Sequence, residues 1–163
     1  AELGAEDEGE TILEETIIYD PELKWRDGHR FVRLRKIGDK SVVTYKEHQE
    51  WTVDGMLEIE FGIDDYKKAE LLFEKIGLVP FRHQQKKRHT FKLDNVTVDI
   101  DTWPKIPTYV ELEGESEQAL KGAAEKLGLD WNTADFHSAS WVIENKYNIQ
   151  VRQLRWFTFD RVE

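Results

Sequence analysis

The chain contains no cysteine, and this absence excludes several kinds of site. Without thiols it can form no disulfide, no thiolate metal site and no cysteine nucleophile. The sequence also has no run of about 18 apolar residues and no charged leader followed by an apolar stretch. From these absences we expect a cytoplasmic protein that neither crosses a membrane nor is exported.

Basic residues are in the minority, with 23 Lys and Arg against 33 Asp and Glu and a net charge of −10. A chain this acidic is expected to repel nucleic acid and anionic membranes unless its bases cluster. No Gly-rich phosphate loop and no Gly-x-Ser-x-Gly elbow occurs. None of the five histidines has a zinc-ligand spacing such as His-x-x-x-His. From the acidic charge we expect no nucleic-acid partner and no membrane partner.

What the chain does contain is enough apolar material for one globular domain. Its 163 residues are 39% hydrophobic and 12% aromatic, which predicts a single domain over 1–163. Residues 149–163 are expected to form a C-terminal extension, either as a final strand or as a packed tail. No low-complexity segment or flexible linker divides the chain.

Periodicity and turn residues predict an α+β fold rich in antiparallel strands. Residues 1–10 have the composition of a helix end followed by a turn. Helices are predicted at 64–76 and 116–127, with a third within 135–147. Strands are predicted at 11–19, 30–37, 41–46, 53–61, 81–93, 96–101 and 108–113, and several of them are joined as hairpins.

Within these strands, charged residues alternate with apolar ones, so that successive charges point to the same side of the sheet. The bases come from separate strands, and they converge if the sheet curls. Clustered Arg and Lys suit a triphosphate, because Arg offers a forked pair of donors and Lys a compact charge. The alternative is an ordinary solvated sheet face. The bases concerned are Arg33, Arg35, Lys46, Lys86 and Arg88.

The acids follow the same alternation and allow two interpretations. Carboxylate oxygens are the ligands that Mg²⁺ prefers, and carboxylates near clustered bases would permit metal-assisted phosphoryl chemistry. Alternatively, they form cross-strand salt bridges that only hold the sheet together. The acids concerned are Glu58, Glu60, Asp99, Asp101, Glu111 and Glu113.

The order of these motifs resembles the CYTH superfamily, also called triphosphate tunnel metalloenzymes, over roughly residues 2–148. Residues 31–35, Phe-Val-Arg-Leu-Arg, are similar to the family's Leu-Arg-x-Arg strand, and residues 86–88, Lys-Lys-Arg, to its Lys-x-Arg pair. The remaining matches are Val-Thr-Tyr-Lys at 43–46, Leu-Glu-Ile-Glu-Phe at 57–61, Val-Asp-Ile-Asp at 98–101 and Tyr-Val-Glu-Leu-Glu at 109–113. Class IV adenylyl cyclase-like and thiamine triphosphatase-like members look most similar.

This resemblance implies an antiparallel β-barrel, the triphosphate tunnel, with helices packed outside it. By position it assigns phosphate binding to Arg33, Arg35, Lys46, Lys86 and Arg88. It assigns Mg²⁺ or Mn²⁺ binding, or orientation of the bases, to Glu58, Glu60, Asp99, Glu111 and Glu113. It assigns no catalytic residue.

One departure from the family is its first-strand motif, Glu-x-Glu-x-Lys, which this sequence lacks. We therefore expect a barrel with one strand missing and with two edges that need a partner. The segment 149–159 is expected to cover that gap, or a neighbouring chain does so in a homodimer.

Three functions are compatible with these observations. The first is a metal-dependent enzyme acting on a triphosphate, either as a nucleotide cyclase or as a triphosphatase of thiamine triphosphate or tripolyphosphate. The second is a nucleotide- or polyphosphate-binding module without catalysis, and the third is a structural or interaction domain. We favour the enzyme for the natural protein and the binding module for the chain as it stands.

Overall fold

The computed structural model describes residues 3–48 and 56–163, and these residues form strands and helices in the order that the sequence predicts. The helices are α1 (Lys24–Asp27), α2 (Tyr66–Lys75), α3 (Glu117–Lys126) and α4 (Ala139–Tyr147). The strands are β1 (Glu6–Tyr19), β2 (Arg30–Ile37), β3 (Lys40–His48), β4 (Met56–Ile63), β5 (Val79–Leu93), β6 (Val96–Thr102), β7 (Tyr109–Glu113) and β8 (Trp156–Phe157).

The strands belong to one sheet with the order β4-β3-β2-β1-β5-β6-β7, and β8 pairs separately with β5. The pairs β1–β2, β2–β3, β3–β4, β5–β6 and β6–β7 are antiparallel. The pairing of β8 with β5 is parallel. The predicted α+β class with antiparallel strands is therefore confirmed.

The chain groups into two compact units. The first unit comprises Ala1–Thr11 and Lys87–Ile149, and the second comprises Ile12–Lys86 and Gln150–Glu163. The long strands β1 and β5 each contribute residues to both units.

The second unit has two buried apolar clusters. One consists of Ile17, Tyr19 and Phe81, and its Ile17 stands across from Arg33. The other lies on the side of the strands that α2 covers. Ile18, Val32, Leu34 and Val43 are buried there, and Phe73 of α2 is among the residues that pack against them. The helix begins where the Asp65 side chain accepts a hydrogen bond from the backbone of Lys68, which is an ordinary N-cap. Because α2 covers this apolar side, the charged side chains of the same strands are directed to the other side.

The first unit is built in the same way, with α3 packed on its strands. Leu93, Val96, Val98 and Ala123 are buried together, and the half-buried Leu120 of α3 packs against them. The hairpin between β5 and β6 turns at Asp94, whose φ is 54°. Short polar side chains such as Asp tolerate this left-handed conformation. Here too, one side of the strands is apolar and the other is left for polar residues.

Two features of the structure differ from the prediction. β1 begins at Glu6, so residues 6–10 form a strand and not the end of a helix. The four-residue helix α1 was not predicted, because so short a segment carries no periodic signal. The residues 53–55 of one predicted strand lie outside the described residues.

The C-terminal segment forms a strand, but at a different place from the predicted one. His83 and Gln84 of β5 pair with Trp156 and Phe157 of β8. Since β5 is internal in the strand order, the prediction that this segment covers an edge of the sheet was wrong for the described residues. The physical reason is that β6 pairs only from Lys87 onward, and the first half of β5 is available to β8.

Among the described residues, no helix is both long enough and apolar enough to cross a membrane.

Truncation of Leu34 to alanine tests the core of the second unit. Leu34 is 0% exposed, so we expect L34A to lower the free energy of unfolding by about 3 kcal/mol. The control is I12A, because Ile12 is 51% exposed and its truncation is expected to cost less than about 0.5 kcal/mol. Denaturant unfolding measures both, and equal losses would contradict this packing.

Candidate functional site

Charged side chains of the second unit share one side of its strands, opposite the side that α2 covers. Glu15 stands across from Arg35, and Lys46 stands across from Glu58. Directly opposed residues of neighbouring strands point to the same side of a sheet. We call this surface the charged face, and its members on β1–β4 are Glu15, Arg33, Arg35, Thr44, Lys46, Glu58 and Glu60.

Glu15 is the centre of the charged face, although it is only 4% exposed. Its Oε1 accepts a hydrogen bond from Arg35 Nε at 2.5 Å. Its Oε2 accepts a hydrogen bond from Gln84 Nε2, also at 2.5 Å. A buried carboxylate is costly unless it is paired in this way, so Glu15 links β1 to β2 and β5.

Arg33 is held more loosely than Arg35. Its Nε lies 4.0 Å from Glu15 Oε1, which is too far for a hydrogen bond. Its Nη2 donates to Thr44 Oγ1 at 3.4 Å and lies 3.8 Å from Glu60 Oε2. Arg33 Nε is buried and has no hydrogen-bond partner. Among the described residues, no other buried side-chain nitrogen or oxygen lacks a partner.

The pKa values reflect this difference in pairing. Burial raises the pKa of Glu15, but Arg35, Arg33 and the hydrogen bond from Gln84 outweigh it and hold the pKa below its ordinary value. Burial and the charge of Arg35 lower the pKa of the Arg33 guanidinium. The carboxylate is therefore well stabilised in its charged form, whereas the charge of Arg33 is incompletely compensated.

Farther along the charged face, acids and bases are paired but more open to water. Lys46 Nζ lies 2.9 Å from Glu58 Oε2, with side-chain exposures of 22% and 42%. Thr44 donates a hydrogen bond to Glu60 Oε2 at 2.6 Å. Because exposed ion pairs contribute little to stability, these bases can exchange their partner for another anion at small cost.

β5 supplies a buried polar row to the same unit. Arg82, Gln84 and Lys86 are buried, with exposures of 3%, 7% and 5%. Gln84 bonds to Glu15, and the charge of Lys86 helps to lower the pKa of Glu15. Gln84 and Lys86 therefore belong to the charged face.

The first unit contains a separate charged cluster centred on Arg88. Its guanidinium bonds to both oxygens of Asp101 at 2.7 Å, to Asp99 Oδ2 at 2.5 Å and to Glu111 Oε2 at 2.8 Å. Burial lowers the pKa of Arg88, but these carboxylates outweigh it and raise the pKa. Three acids thus compensate one base.

Beside this cluster, Tyr109 is paired with Trp103, whose indole nitrogen donates to the Tyr109 hydroxyl at 2.9 Å. Burial raises the pKa of Tyr109. The tyrosine is therefore neutral, and it does not compete with the carboxylates for Arg88.

The predicted metal ligands are engaged by bases or exposed. Glu58 is paired with Lys46, and Asp99 and Glu111 are paired with Arg88. Within residues 3–48 and 56–163, no three His, Asp or Glu side chains lie in a group that could hold a metal ion. The arrangement of these acids therefore does not fit a metal centre as it stands, and metal binding by Glu58, Glu60, Asp99, Glu111 and Glu113 stays a prediction.

The sequence did not single out Glu15 or Gln84. Glu15 follows another glutamate, and alternation alone does not tell which of the two faces the bases. Its partner across β2 is Arg35, so the predicted pairing of the strands would have identified it. Gln84 lies two residues before Lys86 on the same strand, and the period of two could have included it.

A comparison with protein families and solved structures places this geometry in context. The model of the CYTH domain family matches residues 1–136. The structure of the PH1012 protein from Pyrococcus horikoshii is 26% identical, with a TM-score of 0.67, and the match covers 82% of this chain and 83% of that one. No match was found among curated proteins.

Two more distant structures share the fold. A candidate adenylate cyclase from Vibrio parahaemolyticus is 14% identical, with a TM-score of 0.70 and coverage of 88% of this chain and 86% of that one. A Hippeastrum candidate adenylyl cyclase with a dominant triphosphatase activity is 15% identical, with a TM-score of 0.59 and coverage of 84% and 83%.

The role of Glu15 can be tested by measuring how the free energy of unfolding depends on pH. Its folded-state pKa is lowered, so its contribution to stability is complete above the unfolded-state pKa and is lost as the pH falls through the folded value. We expect E15Q to lose about 3 kcal/mol at pH 7 and the difference from wild type to shrink in acid. The control is E14Q, since Glu14 is exposed. Denaturant unfolding from pH 7 to pH 3 measures this, and a gap that does not depend on pH would contradict it.

Proposed function

Because this chain belongs to the CYTH domain family, we propose that its charged face binds a small molecule carrying a triphosphate. Arg33, Arg35, Lys46 and Lys86 would contact the phosphates. The natural protein would act on this triphosphate as an enzyme, either a nucleotide cyclase or a triphosphatase.

The observation that carries the proposal is the unpartnered Nε of Arg33. A buried donor without a hydrogen bond costs free energy, and the cost is larger for a charged group. Arg35 lies beside it and turns its own Nε to Glu15. The Arg33 side chain is 13% exposed, and a phosphate at its guanidinium would offset the charge that the carboxylates leave uncompensated.

The charge of the face also suits a phosphate ligand. Arg33, Arg35, Lys46 and Lys86 are clustered on this face of a chain whose net charge is −10. A compact cluster of bases on an acidic protein favours a compact anion over an extended polyanion such as nucleic acid. Arginine donates in a fork that matches phosphate oxygens, and lysine adds a point charge.

The family resemblance implies that Arg88 binds phosphate, but we do not assign it a primary phosphate contact. Asp99, Asp101 and Glu111 already bond to its guanidinium. A phosphate would have to displace at least one of these acids. We therefore assign the primary phosphate contacts to the second unit.

The two enzymatic outcomes differ in the oxygen that attacks phosphorus. In a cyclase the ribose 3′-hydroxyl attacks the α-phosphorus and pyrophosphate leaves. In a triphosphatase water attacks the terminal phosphorus, the diphosphate part of the substrate leaves, and the attacked phosphorus is released as orthophosphate. Both begin from a triphosphate held by bases, which supply positioning and charge stabilisation. The triphosphatase activity of the Hippeastrum protein makes hydrolysis the first reaction to assay. Dependence on Mg²⁺ or Mn²⁺ is proposed from the family alone.

A second candidate is a binding module without turnover. It is favoured by the pairing of the predicted metal ligands with bases, since phosphoryl transfer normally needs a divalent cation. In that case the triphosphate would be bound and released unchanged.

Binding can be tested by replacing Arg33 with methionine. We expect R33M to weaken the binding of tripolyphosphate by about tenfold or more, because it removes a charged donor. The matched control is R30M, which makes the same change on the same strand at a residue that pairs with Glu47 and is not part of the charged face. Isothermal titration calorimetry measures both, and equal affinity in R33M and R30M would reject the proposed phosphate contact.

Activity is tested by incubating the protein with ATP, thiamine triphosphate or tripolyphosphate, each with Mg²⁺ or Mn²⁺. Orthophosphate release indicates a triphosphatase, and equal amounts of cyclic nucleotide and pyrophosphate indicate a cyclase. We expect R33M to lower whichever activity appears by about tenfold or more and R30M to leave it unchanged. Binding without any product would instead support the binding module.

A further inference from the structure

We propose that Gln84 is a positioning residue of the charged face, which holds Glu15 turned to Arg35 so that Glu15 does not bond to Arg33 and the charge of Arg33 stays available to a phosphate. This inference rests on the proposed function and adds to it a residue that touches no phosphate. Gln84 is 7% exposed and belongs to none of the motifs that the family resemblance rests on.

Arg82 fixes the orientation of the Gln84 amide. Arg82 Nε donates to Gln84 Oε1 at 2.7 Å, and a guanidinium can only donate. The amide oxygen must therefore face Arg82, and the amide NH₂ must face the other way. That NH₂ is the group that donates to Glu15 Oε2 at 2.5 Å.

The position of Arg82 is itself fixed by the C-terminal segment. Arg82 Nη1 donates to the backbone oxygen of Val151 at 3.2 Å, and Val151 is 1% exposed. A directed series of buried hydrogen bonds thus runs from Val151 through Arg82 and Gln84 to Glu15. The series lies wholly within the second unit.

The two oxygens of Glu15 are divided between two partners by this arrangement. Oε2 is taken by Gln84, and Oε1 is taken by Arg35, so that Arg33 Nε is left 4.0 Å from Oε1. Without the Gln84 donor, Oε2 would be an unsatisfied charged acceptor, and Arg33 Nε is an unsatisfied donor 4.0 Å from the other oxygen of the same carboxylate. The carboxylate would then turn and bond to Arg33, because each group relieves the cost of the other.

Turning the Glu15 carboxylate in this way would affect Arg33 in particular. The charge of Arg33 would be compensated from within the protein, and a phosphate would have to compete with Glu15 for the same guanidinium. The number of charges on the face would not change. Gln84 therefore sets affinity by controlling which base the carboxylate neutralises.

The test compares Q84M with Q85M, which makes the same change at the next residue of β5, on the opposite side of the strand. Gln85 contacts the backbone of Phe159 and not Glu15. We expect Q84M to weaken tripolyphosphate binding by about tenfold and to shift the Arg33 Nε–H signal downfield in the ligand-free ¹⁵N spectrum, as a new hydrogen bond does. Q85M should change neither.

A purely structural role would give a different result, namely a lower melting temperature in Q84M with unchanged affinity and an unchanged Arg33 signal. That result overturns this inference while the proposed function stands. If wild type does not bind tripolyphosphate, both are overturned. If Q84M does not fold, Q84A also removes the donor to Glu15 without adding a charge, so the same downfield shift is expected and its absence overturns the inference.

A double-mutant cycle with E15Q isolates the proposed route. In the E15Q background residue 15 can no longer neutralise Arg33, so adding Q84M should change tripolyphosphate affinity by less than about twofold. Equal tenfold losses in both backgrounds would mean that Gln84 acts without Glu15 and would overturn the inference.

Discussion

The charged face depends on a carboxylate that is almost completely removed from water. Glu15 is tolerable in that position only because Arg35 and Gln84 bond to its two oxygens and Arg33 adds its charge. These partners belong to β2 and β5, on either side of β1 in the strand order. The polar side of the second unit is thus organised around Glu15, and α2 supplies the apolar packing on the other side of the same strands.

The two units use the same alternation of charged and apolar residues with opposite electrostatic results. In the first unit, Arg88 is surrounded by three carboxylates that bond directly to it. In the second, Arg33 keeps a buried nitrogen without a partner. The first arrangement resembles a network of salt bridges that holds strands together, whereas the second leaves a cation for a ligand to complete. Charged residues at similar positions along strands therefore differ in function because their neighbours across the sheet differ.

The sequence predicts the side to which charges point, because the period of a strand is strictly two residues. It predicted the strands that carry Arg33, Lys46 and Arg88, as well as the helices that cover the apolar sides. It did not predict the partners of each charge, since these depend on register, and Glu14 and Glu15 are equivalent until β1 is aligned with β2. The place of β8 was also beyond reach, because two paired residues leave no periodic pattern.

Among the interpretations that the sequence left open, a purely structural role for the charges requires that they satisfy one another. Arg88 meets this requirement and Arg33 does not. Selection for stability alone would favour a carboxylate or an apolar residue that removes the cost of the unpaired donor, and Glu15 Oε1 is only 4.0 Å away. The structure instead turns this carboxylate to Arg35 through Gln84, so the unpaired donor is maintained by a buried network of hydrogen bonds. The proposed phosphate ligand would offset the charge of Arg33 that the carboxylates of the second unit leave uncompensated.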